Sequence, residues 1–200
     1  MSGKPTVIMI AGPNGAGKST IAPGLLAKAL GVVEFVNADV IARGLAGFDP
    51  DKAAAAAGRV MLTRLNELAS DRTSFAFEST AASRSFAPRI KGLCDAGYEF
   101  LLGYVWVSSA DISVARVAKR VLLGGHNVPE ETIRRRYFRS LANFWNLYLP
   151  LADEWQVFDN SNAGNATMIA EGGKGKELVI HGVETWDRIT EMVKMAGMRP

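Results

Sequence analysis

The sequence predicts an α/β fold, a three-layer sandwich in which a mostly parallel sheet has helices on both faces. Short apolar runs alternate along the chain with longer segments of helical periodicity, which is the pattern of repeated strand–helix–strand units. Of the 200 residues, 48% are hydrophobic and 22% are charged, which is ordinary for a chain that buries a core. We expect one domain spanning residues 1–200, because the chain is long for one core and short for two.

Glycine, proline and polar residues mark the ends of the elements in the first half of the chain. In order, the patterns predict a strand at 7–10, a helix at 19–30, a strand at 34–37, a helix that starts at 50, a strand at 74–78 and a helix at 85–96. Gly31 is expected to end the first helix. Asp49 is expected to cap the helix that Pro50 begins.

The second half of the chain continues the alternation. It is expected to contain a strand at 98–107, helices at 111–123 and 132–145, a strand at 155–159, and a hairpin and helix at about 166–196. The strand at 98–107 is apolar, as in a parallel strand covered on both faces. Phe138, Phe144, Trp145 and Tyr148 follow near-helical spacing, so we interpret them as core residues rather than a base-stacking surface.

Composition argues against several functional classes. The single cysteine, Cys94, excludes an internal disulfide and a cysteine-rich metal site, and we interpret it as a buried structural thiol. With only His126 and His181, a histidine metal site is not expected. The polar start of the chain and the absence of a long apolar run predict a cytoplasmic protein that does not enter membranes. A net charge of +3 does not by itself predict nucleic-acid binding.

One glycine-rich stretch has the strongest functional signal. Residues 12–19 read GPNGAGKS, which matches G-x-x-x-x-G-K-[ST] and lies between a predicted strand and a predicted helix. In such a P-loop, backbone N–H groups surround a nucleotide's phosphates, the lysine reaches the β and γ phosphates, and the hydroxyl binds Mg²⁺. The predicted cofactors are therefore ATP (or GTP) and Mg²⁺, with Ser19 as the metal ligand. The residues expected to contact the nucleotide are Gly12, Asn14, Gly15, Ala16, Gly17, Lys18, Ser19, Thr20 and Asn160.

Polar side chains follow the ends of three further predicted strands, at Asp39, at Glu78 and Thr80, and at Asn160. Because the carboxyl ends of parallel strands share one edge of the sheet, these residues should surround one cleft. Asp39 is predicted to be the general base for an attacking hydroxyl, and its alternative role is the N-cap of the next short helix. Glu78 is suited to holding a substrate hydroxyl or a metal-bound water, and capping the next helix is its alternative role.

The strand at 98–107 ends in Ser108 and Ser109 rather than in the aspartate typical of a Walker B strand. This argues against a motor ATPase. Small-molecule and nucleotide kinases can hold magnesium through the loop hydroxyl, water and phosphate oxygens, so the sequence favours that class.

Two basic helices on either side of a glycine break suggest a lid at about residues 116–137. Arg116 and Arg120 share a helix face, and Arg134, Arg135 and Arg136 lie beyond Gly124 and Gly125. Closure of such a lid would bring guanidinium groups against a transferring phosphoryl group and exclude water. Lys18, Asp39, Arg120 and Arg134 are the predicted catalytic residues. The alternative is a solvated helical face, on which at most two of the three consecutive arginines could point at a site.

The chain resembles the zeta-toxin-like family of P-loop kinases, specifically its compact bacterial members. The resemblance lies in residues 11–20, 37–39, 77–80 with 83–84, and the run from Arg120 through the Gly-Gly-His segment to 134–137. It implies transfer of the ATP γ-phosphate to a hydroxyl, with UDP-N-acetylglucosamine as the family's characterised substrate and a short antitoxin as partner. It also implies Asp39 as base and Glu78, Thr80 and Arg84 as substrate-side residues.

The leading hypothesis is therefore an ATP-dependent kinase acting on a small hydroxylated acceptor. Two alternatives remain open: a nucleotide-binding regulatory or partner-binding module without transfer, and a polynucleotide 5′-hydroxyl kinase, which the basic lid suggests. The expected partner is a small molecule with a hydroxyl group, and a nucleic-acid partner is not expected. The protein partner that the resemblance implies is a small antitoxin.

Overall fold

The computed structural model describes residues 3–26, 34–45, 50–125, 127–162 and 164–197. Its strands are β1 (Thr6–Ala11), β2 (Glu34–Val36), β3 (Phe75–Ser79), β4 (Glu99–Trp106), β5 (Glu154–Asp159), β6 (Thr167–Gly173) and β7 (Lys176–Ile180). Its α-helices are α1 (Lys18–Leu26), α2 (Ala38–Leu45), α3 (Pro50–Ser70), α4 (Phe86–Asp95), α5 (Ala110–Leu122), α6 (Glu130–Asn143) and α7 (Val183–Gly197). None of the helices in these ranges combines the length and apolar character needed to cross a bilayer.

The strands form one sheet in the order β2-β3-β1-β4-β5-β6-β7. The first five run parallel, β6 is antiparallel to β5, and β7 is antiparallel to β6. The predicted mostly parallel α/β sheet is confirmed, and the C-terminal hairpin extends it at one edge. Both neighbours of β1 are strands from distant parts of the chain, which brings the ends of β3 and β4 beside the glycine-rich loop.

Helices cover both faces of the sheet, as the alternation of β1 side chains requires. Val7 and Met9 lie in a cluster with residues of α3, α4 and α7, whereas Ile8 and Ile10 lie in a second cluster with residues of α1 and α5. The side chains of all four are buried, because a parallel strand at the middle of a three-layer fold has no solvated face. The three-layer prediction is therefore confirmed.

The aromatic residues interpreted as core do pack there. Phe144 and Tyr148 are buried, and Trp145 packs against the same cluster. They lie on a π-helical turn, Phe144–Tyr148, that continues α6 beyond its predicted end, and α6 begins at Glu130 rather than at the predicted 132. Cys94 is half-buried rather than buried.

Some predictions fall outside the described residues. These are the end of the first helix at Leu30 and Gly31, the cap at Asp49, and His126 within the predicted lid.

Candidate active site

The glycine-rich loop joins β1 to α1 and is shaped by close contact with its neighbours. Gly12 has φ +144°, and a Cβ there would lie 2.2 Å from the Val105 carbonyl oxygen. Gly15 and Gly17 have φ +73° and +89°, a region that side-chain-bearing residues seldom adopt. Only glycine allows the chain to pass this close to β4 and then curl. The loop therefore has the concave backbone that binds phosphates in P-loop proteins.

Lys18 begins α1 with its side chain 7% exposed. Its ammonium donates to the Pro13 carbonyl oxygen at 3.0 Å and lies 3.8 Å from Glu78 Oε1. Burial lowers the pKa of Lys18, and this effect outweighs the opposing influence of Glu78 and Asp39. A buried cation whose charge is only partly compensated is suited to receive a nucleotide's phosphates.

Glu78 lies at the end of β3, in register with Ile10 of β1. Its Oε2 accepts hydrogen bonds from Ser19 Oγ at 2.7 Å and from Asn37 Nδ2 at 2.8 Å. The alternative prediction, that Glu78 caps the next helix, is wrong, because α4 starts after Ser85. β4 has no aspartate at its end, but β3, on the other side of β1, supplies the Glu78 carboxylate beside the Ser19 hydroxyl.

The Ser19 hydroxyl and the Glu78 carboxylate together fit magnesium, which prefers hard oxygen ligands and keeps several waters. No group of three or more His, Cys, Asp or Glu side chains that could hold a metal occurs in the described part of the chain. A magnesium ion here would thus rely on Ser19, on water held by Glu78 and on the nucleotide's own phosphate oxygens.

Asp39 lies in the first turn of α2. Asn37 caps this helix, because its Oδ1 accepts hydrogen bonds from the backbone N–H groups of Asp39 at 2.8 Å and Val40 at 3.3 Å. The alternative prediction of Asp39 as the N-cap is therefore wrong, and its carboxylate is available for another role. Asp39 Oδ2 lies 3.6 Å from Arg120 Nη1 on α5, which places the two predicted catalytic groups face to face.

A cavity of about 500 Å³ joins these groups. The predicted site residues that line it are Asn14, Gly15, Lys18, Asp39, Glu78, Thr80 and Arg120. Arg84 is exposed and lies outside this lining. The structure thus brings together the predicted base, the P-loop lysine, one arginine of the predicted lid and the residues after β3.

The basic helices contribute differently from the prediction. Arg134 forms ion pairs with Asp111 at 2.7 Å and Glu130 at 2.8 Å and does not line the cavity, so the structure does not support its predicted catalytic place. Arg136, two residues further along α6, lines the cavity instead. A shift of two residues turns a helical side chain by about 200°, which separates the two arginines.

Asn37 and Arg59 also line this cavity, although neither was predicted as a site residue. Asn37 could have been identified from the sequence, because asparagine is a preferred N-cap residue and it lies just before the helix that contains Asp39. Arg59 lies in the middle of α3 and had no such signal.

Gly125 explains the position of Arg120. Its backbone N–H donates to the Arg120 carbonyl oxygen at 2.9 Å, and a Cβ at Gly125 would lie 2.5 Å from Arg120 Cγ. The glycine therefore leaves the space in which the stem of Arg120 packs on its way to Asp39.

A second cavity, of about 380 Å³, meets the first at Gly15. Its lining comprises Gly15, Gly17, Thr20, Ile21, Arg116, Asn160, Gly164 and Ala166. It follows the helix-side end of the loop and the segment after β5. The predicted contacts Thr20 and Asn160 lie here.

Two side chains attach the segment after β5 to the loop. Asn160 Nδ2 donates to the Ala16 carbonyl oxygen at 2.7 Å. Arg116 donates to the carbonyl oxygens of Gly15 at 3.4 Å and Ser161 at 2.8 Å. Within the described residues, Asn14 Oδ1 and Asn160 Oδ1 are buried acceptors without a hydrogen-bond partner.

Comparison with known proteins places these features in context. The family model described as zeta toxin matches residues 1–166. This range contains every residue that lines the two cavities, and it leaves out β6, β7 and α7. An uncharacterized protein of Haemophilus influenzae is 30% identical over 130 residues, which cover 65% of this chain and 91% of that protein.

Two groups of solved structures share the fold. The AvrRxo1-ORF1:AvrRxo1-ORF2 complex with sulphate ions superposes with a TM-score of 0.74 at 18% identity; the match covers 94% of this chain and 64% of that one. The same complex has been solved with ATP. A structure from the PezAT chromosomal toxin-antitoxin system of Streptococcus pneumoniae matches with a TM-score of 0.66 at 13% identity, covering 99% of this chain and 89% of that one.

Proposed function

The chain belongs to the zeta toxin family, and from that premise we propose that it is an ATP-dependent kinase that transfers the γ-phosphate to a hydroxyl of a small acceptor. The observation that carries the proposal is the cavity in which Asp39, Arg120 and the P-loop residue Lys18 meet. A nucleotide-binding module needs the loop but not a carboxylate and an arginine placed together at its phosphate end.

The proposed chemistry assigns one task to each group. Lys18 and the loop N–H groups bind the phosphates and orient the γ-phosphoryl group toward the cavity. Asp39 accepts the proton of the acceptor hydroxyl as its oxygen attacks phosphorus, and ADP leaves. Arg120 and Arg136 stabilise negative charge on the transferring group. Magnesium, when bound at Ser19, neutralises charge on the β and γ phosphates.

The charges that line the cavity favour an anionic acceptor. The lining contains two carboxylates, Asp39 and Glu78, and four cationic side chains, Lys18, Arg59, Arg120 and Arg136. Opposite charge in a cleft raises the local concentration of a charged substrate. A nucleotide sugar such as UDP-N-acetylglucosamine combines a diphosphate with free hydroxyl groups, so it is the first acceptor that we propose.

A small antitoxin protein is the macromolecular partner that we propose. Support for this comes from the family and from a fold neighbour that is part of a toxin-antitoxin system. Co-expression with the product of a neighbouring small gene, followed by co-purification and an activity assay, tests it. The proposal fails if no such product binds or inhibits.

The decisive experiment is an acceptor screen with ³²P-labelled ATP. Sugar nucleotides, free sugars and 5′-hydroxyl oligonucleotides are compared at two salt concentrations, with Lys18→Ala as the control for P-loop dependence. We expect transfer to a sugar nucleotide with modest salt sensitivity.

Two results of this screen would replace the proposal. Transfer to oligonucleotides that weakens steeply with salt would indicate a polynucleotide kinase. Nucleotide binding with no transfer to any acceptor would indicate the regulatory module.

A further inference from the structure

We propose that Asn160 is a positioning residue that sets the orientation of the phosphate-binding loop. Its Nδ2 donates to the Ala16 carbonyl oxygen at 2.7 Å, across 144 residues of sequence. Asn160 is 5% exposed and Ala16 is fully buried, so water does not compete for this bond. The inference rests on the proposed binding of a nucleotide, but it concerns a residue that acts through the loop rather than on the reacting atoms.

The geometry of the peptide group connects this bond to phosphate binding. The Ala16–Gly17 peptide is trans, so its C=O and N–H point in opposite directions. When Asn160 holds the Ala16 carbonyl on one side of the loop, the Gly17 N–H must point to the other side. In P-loops the backbone N–H groups line the concave, anion-binding side, and the positive φ of Gly15 and Gly17 gives this loop the same curl, so we assign the Gly17 N–H to that side.

The fit between Asn160 and the loop is close. A Cβ at Gly17 would lie 2.4 Å from Asn160 Nδ2, so the glycine lets the amide reach the carbonyl beside it. The amide orientation is also determined, because a carbonyl oxygen can only accept and the NH₂ group must face it. Arg116 holds the following residue through its 2.8 Å bond to the Ser161 carbonyl oxygen, which keeps the segment after β5 against the loop.

A loop that is already oriented before the nucleotide binds lowers the free-energy cost of ordering it on binding. The proposal therefore predicts a specific pattern of affinities. Removing the amide should weaken the binding of ligands that carry a phosphate tail and leave the affinity for the nucleoside unchanged, because only phosphates contact the Gly17 N–H. A residue that contacts the base or ribose would instead affect all ligands alike.

The test is a calorimetric series of adenosine, AMP, ADP and ATP against the wild type and Asn160→Ala. We expect roughly tenfold weaker binding of ADP and ATP, from loss of one buried hydrogen bond, with adenosine affinity unchanged. Asn165→Ala, an exposed asparagine of the same loop, is the matched control and should bind like the wild type. If thermal unfolding shows that Asn160→Ala is not folded, Asn160→Ser provides the same comparison.

Two outcomes would overturn the inference: an equal loss of affinity for adenosine and ADP, or no loss of affinity for any ligand. Failure of the wild type to bind ADP at all would instead refute the proposed function. The two failures are therefore distinguishable in one data set.

Discussion

Asp39→Asn is the sharpest test of the proposed kinase mechanism, because the structure predicts a large effect on rate and a small one on stability. General base catalysis contributes roughly 10²- to 10⁴-fold to rates, so kcat should fall by about that factor. Nucleotide affinity should be retained, since the phosphates are held by Lys18 and the loop. Rapid-quench measurement of phosphate transfer, with calorimetric ADP binding alongside, separates the two.

The expected loss of stability follows from the surroundings of Asp39. Its ion pair with Arg120 spans 3.6 Å between side chains that are 52% and 38% exposed. Such pairs contribute at most about 1 kcal/mol, because solvent screens them. The loss of a negative charge at the first turn of α2 adds up to about 1 kcal/mol. The hydrogen bonds that cap the helix come from Asn37 and are unaffected.

Asp111→Asn is the matched control. Asp111 also lies in the first turn of a helix, α5, and also pairs with an arginine, Arg134, at 2.7 Å. It does not line the cavity. The two variants should therefore lose similar stability while only Asp39→Asn loses activity. Turnover by Asp39→Asn near that of the wild type, or an equal loss of activity in Asp111→Asn, would refute the assignment of the base.

Three further predictions concern the groups around Asp39. Glu78→Gln keeps an acceptor oxygen but removes the charge, so half-maximal activity should need about tenfold more Mg²⁺ in a magnesium titration; an unchanged requirement would contradict the proposed role of Glu78 in holding metal-bound water. Gly125→Ala places a Cβ 2.5 Å from Arg120 Cγ and should lower kcat roughly tenfold or more by displacing the guanidinium, whereas Gly92→Ala, where a Cβ meets open space, should not. Burial lowers the pKa of Lys18 in the free protein, and bound phosphates should raise it again. ADP affinity should therefore fall as the pH rises through the lowered pKa, and between the two pKa values binding should take up a proton. Equal heats of binding in buffers of different ionisation enthalpy would contradict this.

The features that sequence predicts well are those encoded by neighbouring residues. The P-loop is contiguous, and its glycines lie where positive φ or close approach to β4 demands them. The alternation of apolar runs with helical segments predicted the α/β class, because each element has its own periodicity. Asp39 and Glu78 were identified as site residues because they follow strands, and in parallel sheets the ends of the strands meet at one edge.

Relations between distant segments were not available from the sequence. The sequence shows that the strand at β4 is not followed by a Walker B carboxylate, but it does not show that β3 is the other neighbour of β1. Glu78 lies near the carboxyl end of β3 and supplies a carboxylate there. The sequence does not show which of the three consecutive arginines, 134–136, points into the cavity. The orientation of α6 decides this: Arg136 lines the cavity, whereas Arg134 pairs with Asp111.

The sequence by itself determined that this chain has a phosphate-binding loop on an α/β sheet, because backbone freedom at glycine and hydrophobic periodicity are local properties. The tertiary structure decided which side chains meet that loop. Arg120 reaches Asp39, Glu78 reaches Ser19, and Asn160 reaches Ala16. Each contact joins residues at least 59 positions apart, so it exists only after the sheet has placed their strands and helices side by side.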